Sequence, residues 1–263
     1  MARADELRPS LLRRSRYRKR GRLEMGIGNA LVELRAGWPH AAVMRFRVCV
    51  FSMVIGLAVF HPAELSACTL MPGYVGPSNL DLALEAESIV LAKVERQRRS
   101  SDGDSMPRVI LRPVEALKGA LPRELISLEG YVGSTQHVRA SYSDPNELVE
   151  AHPQSFDGFC VRYVFMPGST LLLFLKRDAK GWQAIMPPFS RTAEDVPSRR
   201  SRWVKAVRLY ARVSQLPEEQ QVDALLQEQA ALRRRDSRDS RAIADDIDRV
   251  LAQRQASSMA PSE

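Results

Sequence analysis

The spacing of apolar residues changes character several times along the chain, and each change predicts a different element. Residues 48 to 60, VCVFSMVIGLAVF, are apolar and uncharged throughout. A bilayer-spanning helix needs about 20 such residues, so this run is too short to cross a membrane and instead has the size of the apolar core of a secretory signal. After the Pro/Gly-rich lead TLMPGYVGPSN, residues Leu80, Leu84 and Glu87 fall at helical spacing and predict a short helix. From Ser88 the period becomes two. SIVLAKVERQ, RVILRPVEALKG at 108 to 119, and Leu125 to Leu128 read as strands, with Pro113 confining the second to an edge or a bulge. FCVRYVF at 159 to 165 alternates, with Phe159, Val161, Tyr163 and Phe165 on one face. With TLLLFLKR at 170 to 177 it predicts a hairpin across the Pro167-Gly168 turn, and GWQAIMP adds a further short strand. The stretch from Gly130 to Gly158 is long, polar and without sustained periodicity, which predicts a functional or mobile loop.

Beyond RTAEDVPSRRS the period returns to that of helices. Trp203, Val207, Tyr210 and Val213 mark one stripe. Pro217 suits the first turn of a second helix carrying Val222, Leu225, Leu226 and Leu232, and Ile243, Ile247, Val250 and Leu251 mark a third. The pattern therefore predicts a β-dominated fold, a small antiparallel barrel or sandwich over residues 68–192. A helical tail over 199–255 follows, packed on the barrel or on itself. The stripes are short and broken by RRRDSRDSR, which disfavours a coiled coil.

Charge changes this picture little. The chain of 263 residues carries a net charge of +8, but residues 1 to 43 hold most of the excess, in the run LLRRSRYRKRGR. The part that folds is close to neutral. No aromatic platform beyond Tyr17 and no recognisable motif accompanies the run, so nothing points to nucleic acid.

Met44, Arg45 and Arg47 ahead of the apolar run, and Leu65-Ser66-Ala67 behind it, complete a signal peptide over residues 44–67. Residues 1–43 then read as an over-long start or an extended basic leader. Cleavage after Ala67 removes Cys49 and leaves Cys68 and Cys160, an even count that permits one disulfide. The same Leu-Ser-Ala-Cys sequence fits a lipobox, in which Cys68 would be acylated and Cys160 left without it. An uncleaved anchor is the third alternative. HPAELSA, with Glu64, separates the apolar run from Cys68 and looks like the polar end of an ordinary signal.

No nucleophile elbow, P-loop, dinucleotide fingerprint or HExxH helix occurs. His137 and His152 share the long loop with Asp144, Glu147 and Glu150, yet their spacing matches no recurrent ligand set and reads as solvated loop. A Ser/His/Asp hydrolase would have to draw its parts from that loop, and no local pattern supports one.

One constellation remains. A cysteine at the cleavage site is followed by LALEAESIVLAKVE, VEALKG, FCVRYVFMPGSTLLLFLK and a tryptophan strand. This order resembles the netrin-like module of the tissue inhibitors of metalloproteinases and their bacterial relatives, over about residues 68–190. The resemblance implies a five-stranded OB-like barrel with Cys68 disulfide-bonded to Cys160. It further implies that the free α-amine and carbonyl of Cys68 chelate a protease zinc while the Thr69 side chain enters the specificity pocket. Leu70 stands where that family has another cysteine, no cysteine occurs near Leu84, and helices replace the cysteine-rich second domain. With fewer bridges, the edge facing a protease is less preorganised.

The expectation is thus a non-enzymatic protein exported to the periplasm or the medium, without cofactor or metal of its own, that binds an unknown protein partner. The alternatives are a zinc metalloprotease inhibitor acting through Cys68 and Thr69, and a membrane-anchored lipoprotein acylated at Cys68. Membrane association is expected only if Cys68 is lipidated or the signal is retained.

Overall fold

The computed structural model of the protein describes residues 73–99, 106–134 and 139–259. The basic leader, the signal, Cys68, Thr69 and His137 lie outside the described residues. Helix α1 (Asn79–Glu85) starts at a capping box: the Ser78 hydroxyl accepts from the Asp81 N–H, and the Asp81 carboxylate accepts from the Ser78 N–H. Strands β1 (Ser88–Arg98), β2 (Arg108–Lys118), β3 (Ile126–Glu129) and β4 (Tyr131–Val132) follow. A 3-10 turn (Pro153–Phe156) leads to β5 (Val164–Phe165), β6 (Thr170–Asp178), β7 (Gly181–Ala184) and β8 (Glu194–Asp195). The described chain ends with helices α2 (Arg202–Val213), α3 (Glu218–Arg233) and α4 (Arg238–Met259).

The main sheet is antiparallel, in the order β3-β2-β1-β6-β7, with β8 added to β6. A closed barrel was expected, and the sheet is not closed. Its two ends, β3 and β7, come into contact, but no hydrogen-bonded ladder joins them. At four residues each, they offer little extended chain for a closing seam.

The hairpin expected between 159–165 and 170–177 is also absent. Only Val164 and Phe165 are extended, and they pair in parallel with β4, while β6 lies between β1 and β7. Cys160 sits at φ 60, outside the β region, and Arg162 turns into the interior at 1% exposure, so the apparent alternation never becomes a strand.

β6 explains its own sequence. Leu171, Leu173 and Leu175 enter one core with Val90, Val109, Leu111, Ile126 and Phe165, while Leu172 and Phe174 enter a second with Ile89, Leu91 and Trp203. A strand buried on both faces reads as a continuous apolar run. Pro113 is accommodated in both ways foreseen. It faces Ala92 at a register shift, and it lies past Leu111, the last β2 residue paired to β3. Gly119 closes the β2 end at φ 66, where an added Cβ would lie 2.1 Å from the Glu87 carbonyl oxygen.

The second core is the seat of the helices. Trp203 and Tyr210 of α2 are fully buried. The Trp203 indole N–H donates to Asn79 Oδ1 (3.0 Å), and the Tyr210 hydroxyl donates to Asp246 Oδ2 of α4 (2.7 Å). In α3 the stripe is narrower than expected. Leu225 and Leu232 are buried, whereas Val222 and Leu226 are exposed. Among the described residues no helix is long and apolar enough to cross a membrane.

Candidate functional site

Residues 139–163, in the long segment between β4 and β5, are arranged around one buried cation. Arg162 reaches Asp195 Oδ2 at 2.7 Å and Glu194 Oε2 at 3.7 Å. Its guanidinium also donates to Ser143 Oγ (3.0 Å) and to the main-chain oxygens of Ser141 (3.0 Å) and Val164 (3.2 Å), and it lies 5.0 Å over the Phe165 ring. Ser143 closes the set. Its N–H donates to Asp195 Oδ2, its hydroxyl donates to Glu194 Oε2, and it accepts from the Asp195 N–H. Both carboxylates are almost wholly buried. Burial raises the Glu194 carboxyl above the usual range, opposed by Arg191 and Arg162. Removing one member of such a cluster strands the others, which is why buried ion clusters hold a segment in place more than they raise net stability.

His152 belongs to this cluster rather than to solvent, contrary to the loop reading. It is 3% exposed, its N–H donates to Glu194 Oε1 (2.9 Å), and Nδ1 accepts from the Gln154 N–H (3.2 Å), capping the 3-10 turn. Burial, helped by Arg162, pushes its pKa down to about 4. Because Nδ1 is an acceptor, the neutral ring carries its proton on Nε2, which donates to Ser141 Oγ at 3.0 Å. A general base needs a lone pair facing the hydroxyl, so this Ser/His pair has the wrong tautomer to activate Ser141.

The other loop carboxylates serve the backbone. Asp144 caps the Asn146 N–H, and Glu147 Oε1 accepts from the N–H groups of Leu148, Val149 and Glu150. Burial alone would raise the Glu147 carboxyl, but those donors and Arg191 outweigh it and leave it below the usual range. Among the described residues no group of three His, Cys, Asp or Glu side chains is placed to hold a metal.

The same segment displays apolar side chains: Phe156 is 63% and Phe159 50% exposed, and the exposed Tyr74, Val75 and Val149 reach this corner through Pro188 and Phe189. Phe156 stacks on Phe189 with ring centroids 5.1 Å apart, and Phe159 on Tyr163 at 4.3 Å. Backbone strain accompanies these contacts: Cys160 and Phe189, and the buried Ala193, adopt positive φ, at 60, 52 and 52°. Two of them are tied together, since the Phe189 N–H donates to the Cys160 carbonyl (2.7 Å). The lead chain reaches the same corner, where the Tyr74 hydroxyl donates to the Pro188 carbonyl (3.1 Å).

Of the residues the sequence singles out, Cys160 and His152 both lie in this segment, His152 in the polar cluster and Cys160 bonded through its carbonyl to Phe189. The sequence had not singled out Arg162, Arg191, Glu194 or Asp195. The only hint was ionic residues inside otherwise apolar or turn-like stretches, as in FCVRYVF and SRTAEDV.

Comparison of the chain with protein-family models, with curated proteins and with solved structures gives no match.

Proposed function

We propose that this is an exported, non-catalytic binding module that engages a protein partner through the Phe156/Phe159 face. The observation that carries this reading is two large aromatics displayed to solvent on a segment whose underside is clamped by Arg162. A rigid apolar face spends little entropy on binding, and exposed aromatic clusters mark interaction surfaces. The tautomer of His152 and the sealing of the polar cluster argue in the same direction, away from hydrolysis. The netrin-like reading is part of the proposal. A meander β1-β2-β3 whose first strand also pairs with β6, leaving β7 against β3, is the arrangement that closes into an OB-like barrel. The test is to identify partners by crosslinking the exported protein, then measure affinity for each with wild type and with Phe156→Ser/Phe159→Ser. A loss of about tenfold or more supports the face, and unchanged affinity for every partner sinks it.

The tethering of Tyr74 to Pro188, beside Phe189 and Cys160, favours one further reading. Cys68 lies six positions before Tyr74, a span of at most about 20 Å, so a Cys68 to Cys160 disulfide is within the chain's reach. It would fix the amino terminus at the edge of the aromatic face. On this reading the terminal amine and Thr69 serve as a zinc-directed inhibitor. Intact mass before and after reduction decides between disulfide and acylation at Cys68. A panel of zinc proteases left fully active by the mature protein ends the inhibitor reading.

A further inference from the structure

Between the lead chain and α4 lies a cavity of about 180 Å³, walled by residues 75–79, Leu82, Leu148 and Val149, Phe189, Arg191, and Arg249 and Gln253 of α4. Two of these are arginines, and no carboxylate side chain is in the wall. Arg191 is 4% exposed. Its Nη atoms donate to the carbonyls of Glu150 (3.0 Å) and Asp144 (2.5 Å), and its guanidinium lies 4.7 Å over the Trp203 ring. No carboxylate among the described residues comes within ion-pair distance of it, and its Nε has no hydrogen-bond partner. Arg249 gives Nη2 to Asp246, and its Nε is likewise buried without a partner. Glu194, Glu147 and Asp144 act on Arg191 electrostatically, but its direct contacts are carbonyls and a ring, and a buried donor left over is costly to keep unless something accepts from it.

We infer that this cavity binds a small carboxylate with an apolar body, its oxygens accepting from Arg191 and Arg249 and its body resting on Leu82, Leu148 and Phe189. Size and chemistry narrow the class. The cavity has the volume of roughly six liquid waters and falls short of the roughly 300 to 1,000 Å³ of pockets for larger ligands. Inorganic phosphate would match the arginines yet leave the apolar wall against water. A neutral amide of the same shape offers one acceptor oxygen in place of two and no charge to set against the guanidinium groups. The inference goes beyond the partner-binding reading and stands without it, because neither Phe156 nor Phe159 is in the cavity wall, although Val75, Val149 and Phe189 border both.

The test is titration of the purified full-length protein with benzoate, benzamide and inorganic phosphate, followed by calorimetry and by thermal shift. Saturable benzoate binding, with benzamide and phosphate each at least about tenfold weaker, is the expected result. Arg191→Lys removes the planar donor set but risks the fold, since Arg191 supports the 144–150 turn. Arg249→Gln at the more exposed rim is therefore the deciding variant: it should weaken benzoate by about tenfold in protein that still melts cooperatively, at a lower temperature because Asp246 loses its ion partner. Equal binding of benzamide, phosphate binding as tight as benzoate, no saturation by benzoate at tens of millimolar, or an Arg249→Gln variant that binds as wild type would each overturn the inference. Loss of partner affinity in Phe156→Ser/Phe159→Ser with benzoate binding intact separates this site from the protein-binding face.

Discussion

The two sides of the β1-β6 sheet are held in different ways. The helix side is secured mainly by shape: Trp203, Val207 and Tyr210 of α2 lie in one core with Ile89, Leu91, Leu172 and Phe174, and Trp203 and Tyr210 add hydrogen bonds to Asn79 and Asp246. The loop end is secured by charge, through Arg162, Glu194, Asp195, Ser143 and His152, drawn from three separate stretches of chain. Apolar packing degrades by degrees when one member is trimmed. An ion cluster is closer to all or none, because each member removed leaves another charge buried without its partner. The difference teaches where the molecule can be loosened without unfolding. The loop end should open as a unit while the helix side stays shut.

The largest effect should come from Arg162→Leu, which strands Glu194 and Asp195 and is expected to cost about 4 to 5 kcal/mol in urea denaturation. Hydrogen exchange should rise over 139–165 and remain slow in α2, and equal loss of protection in both places would break the comparison. Trp203→Ala should cost about 4 kcal/mol through the cavity it leaves, with the reverse pattern of exchange.

Acid probes the loop end through His152. The folded-state pKa of His152, about 4, lies below its unfolded value near 6.5, so the unfolded chain takes the proton first. The stability owed to neutral His152 is complete above about pH 6.5 and is lost as pH falls toward 4, amounting to about 3 kcal/mol. His152→Asn should flatten that part of the stability profile, and an unchanged slope would mean that the ring is not held neutral. Phe156→Ser should be the mildest, within about 0.5 kcal/mol of wild type by thermal melting, since the ring is already 63% exposed.

The same contrast decides what could be read from the sequence. Stripes such as Trp203, Val207 and Tyr210, and the run Leu171 to Leu175, announce their elements because burial of apolar faces imposes a period. Boundaries from Ser88 to Glu129 fell within a few residues of the observed strands for that reason. In FCVRYVF the period-two pattern existed only in the residue types: Arg162 occupied what looked like an outward position but is buried, and the positive φ at Cys160 turned the chain. Alternation cannot reveal that an outward-reading cation is the most buried charge in the segment. Its partners, Glu194 and Asp195, stand more than thirty positions away in SRTAEDV, where no periodicity links them to it. The unclosed sheet escaped notice because closure depends on the reach of two four-residue end strands, which composition does not encode.

The place of β1 between β2 and β6 also sets an order of assembly. β1 can fold onto β2 as soon as the nearby chain has emerged, but Lys93 must wait for Thr170 and Ser88 for Leu175. Until then the half-made sheet carries an open edge rich in Ile, Val and Leu, the kind of edge that recruits a second chain. Contacts so distant in sequence form slowly. A chain interrupted before Thr170 should therefore associate with others of its kind instead of folding, and whatever accompanies this protein during synthesis must shield that edge until β6 arrives.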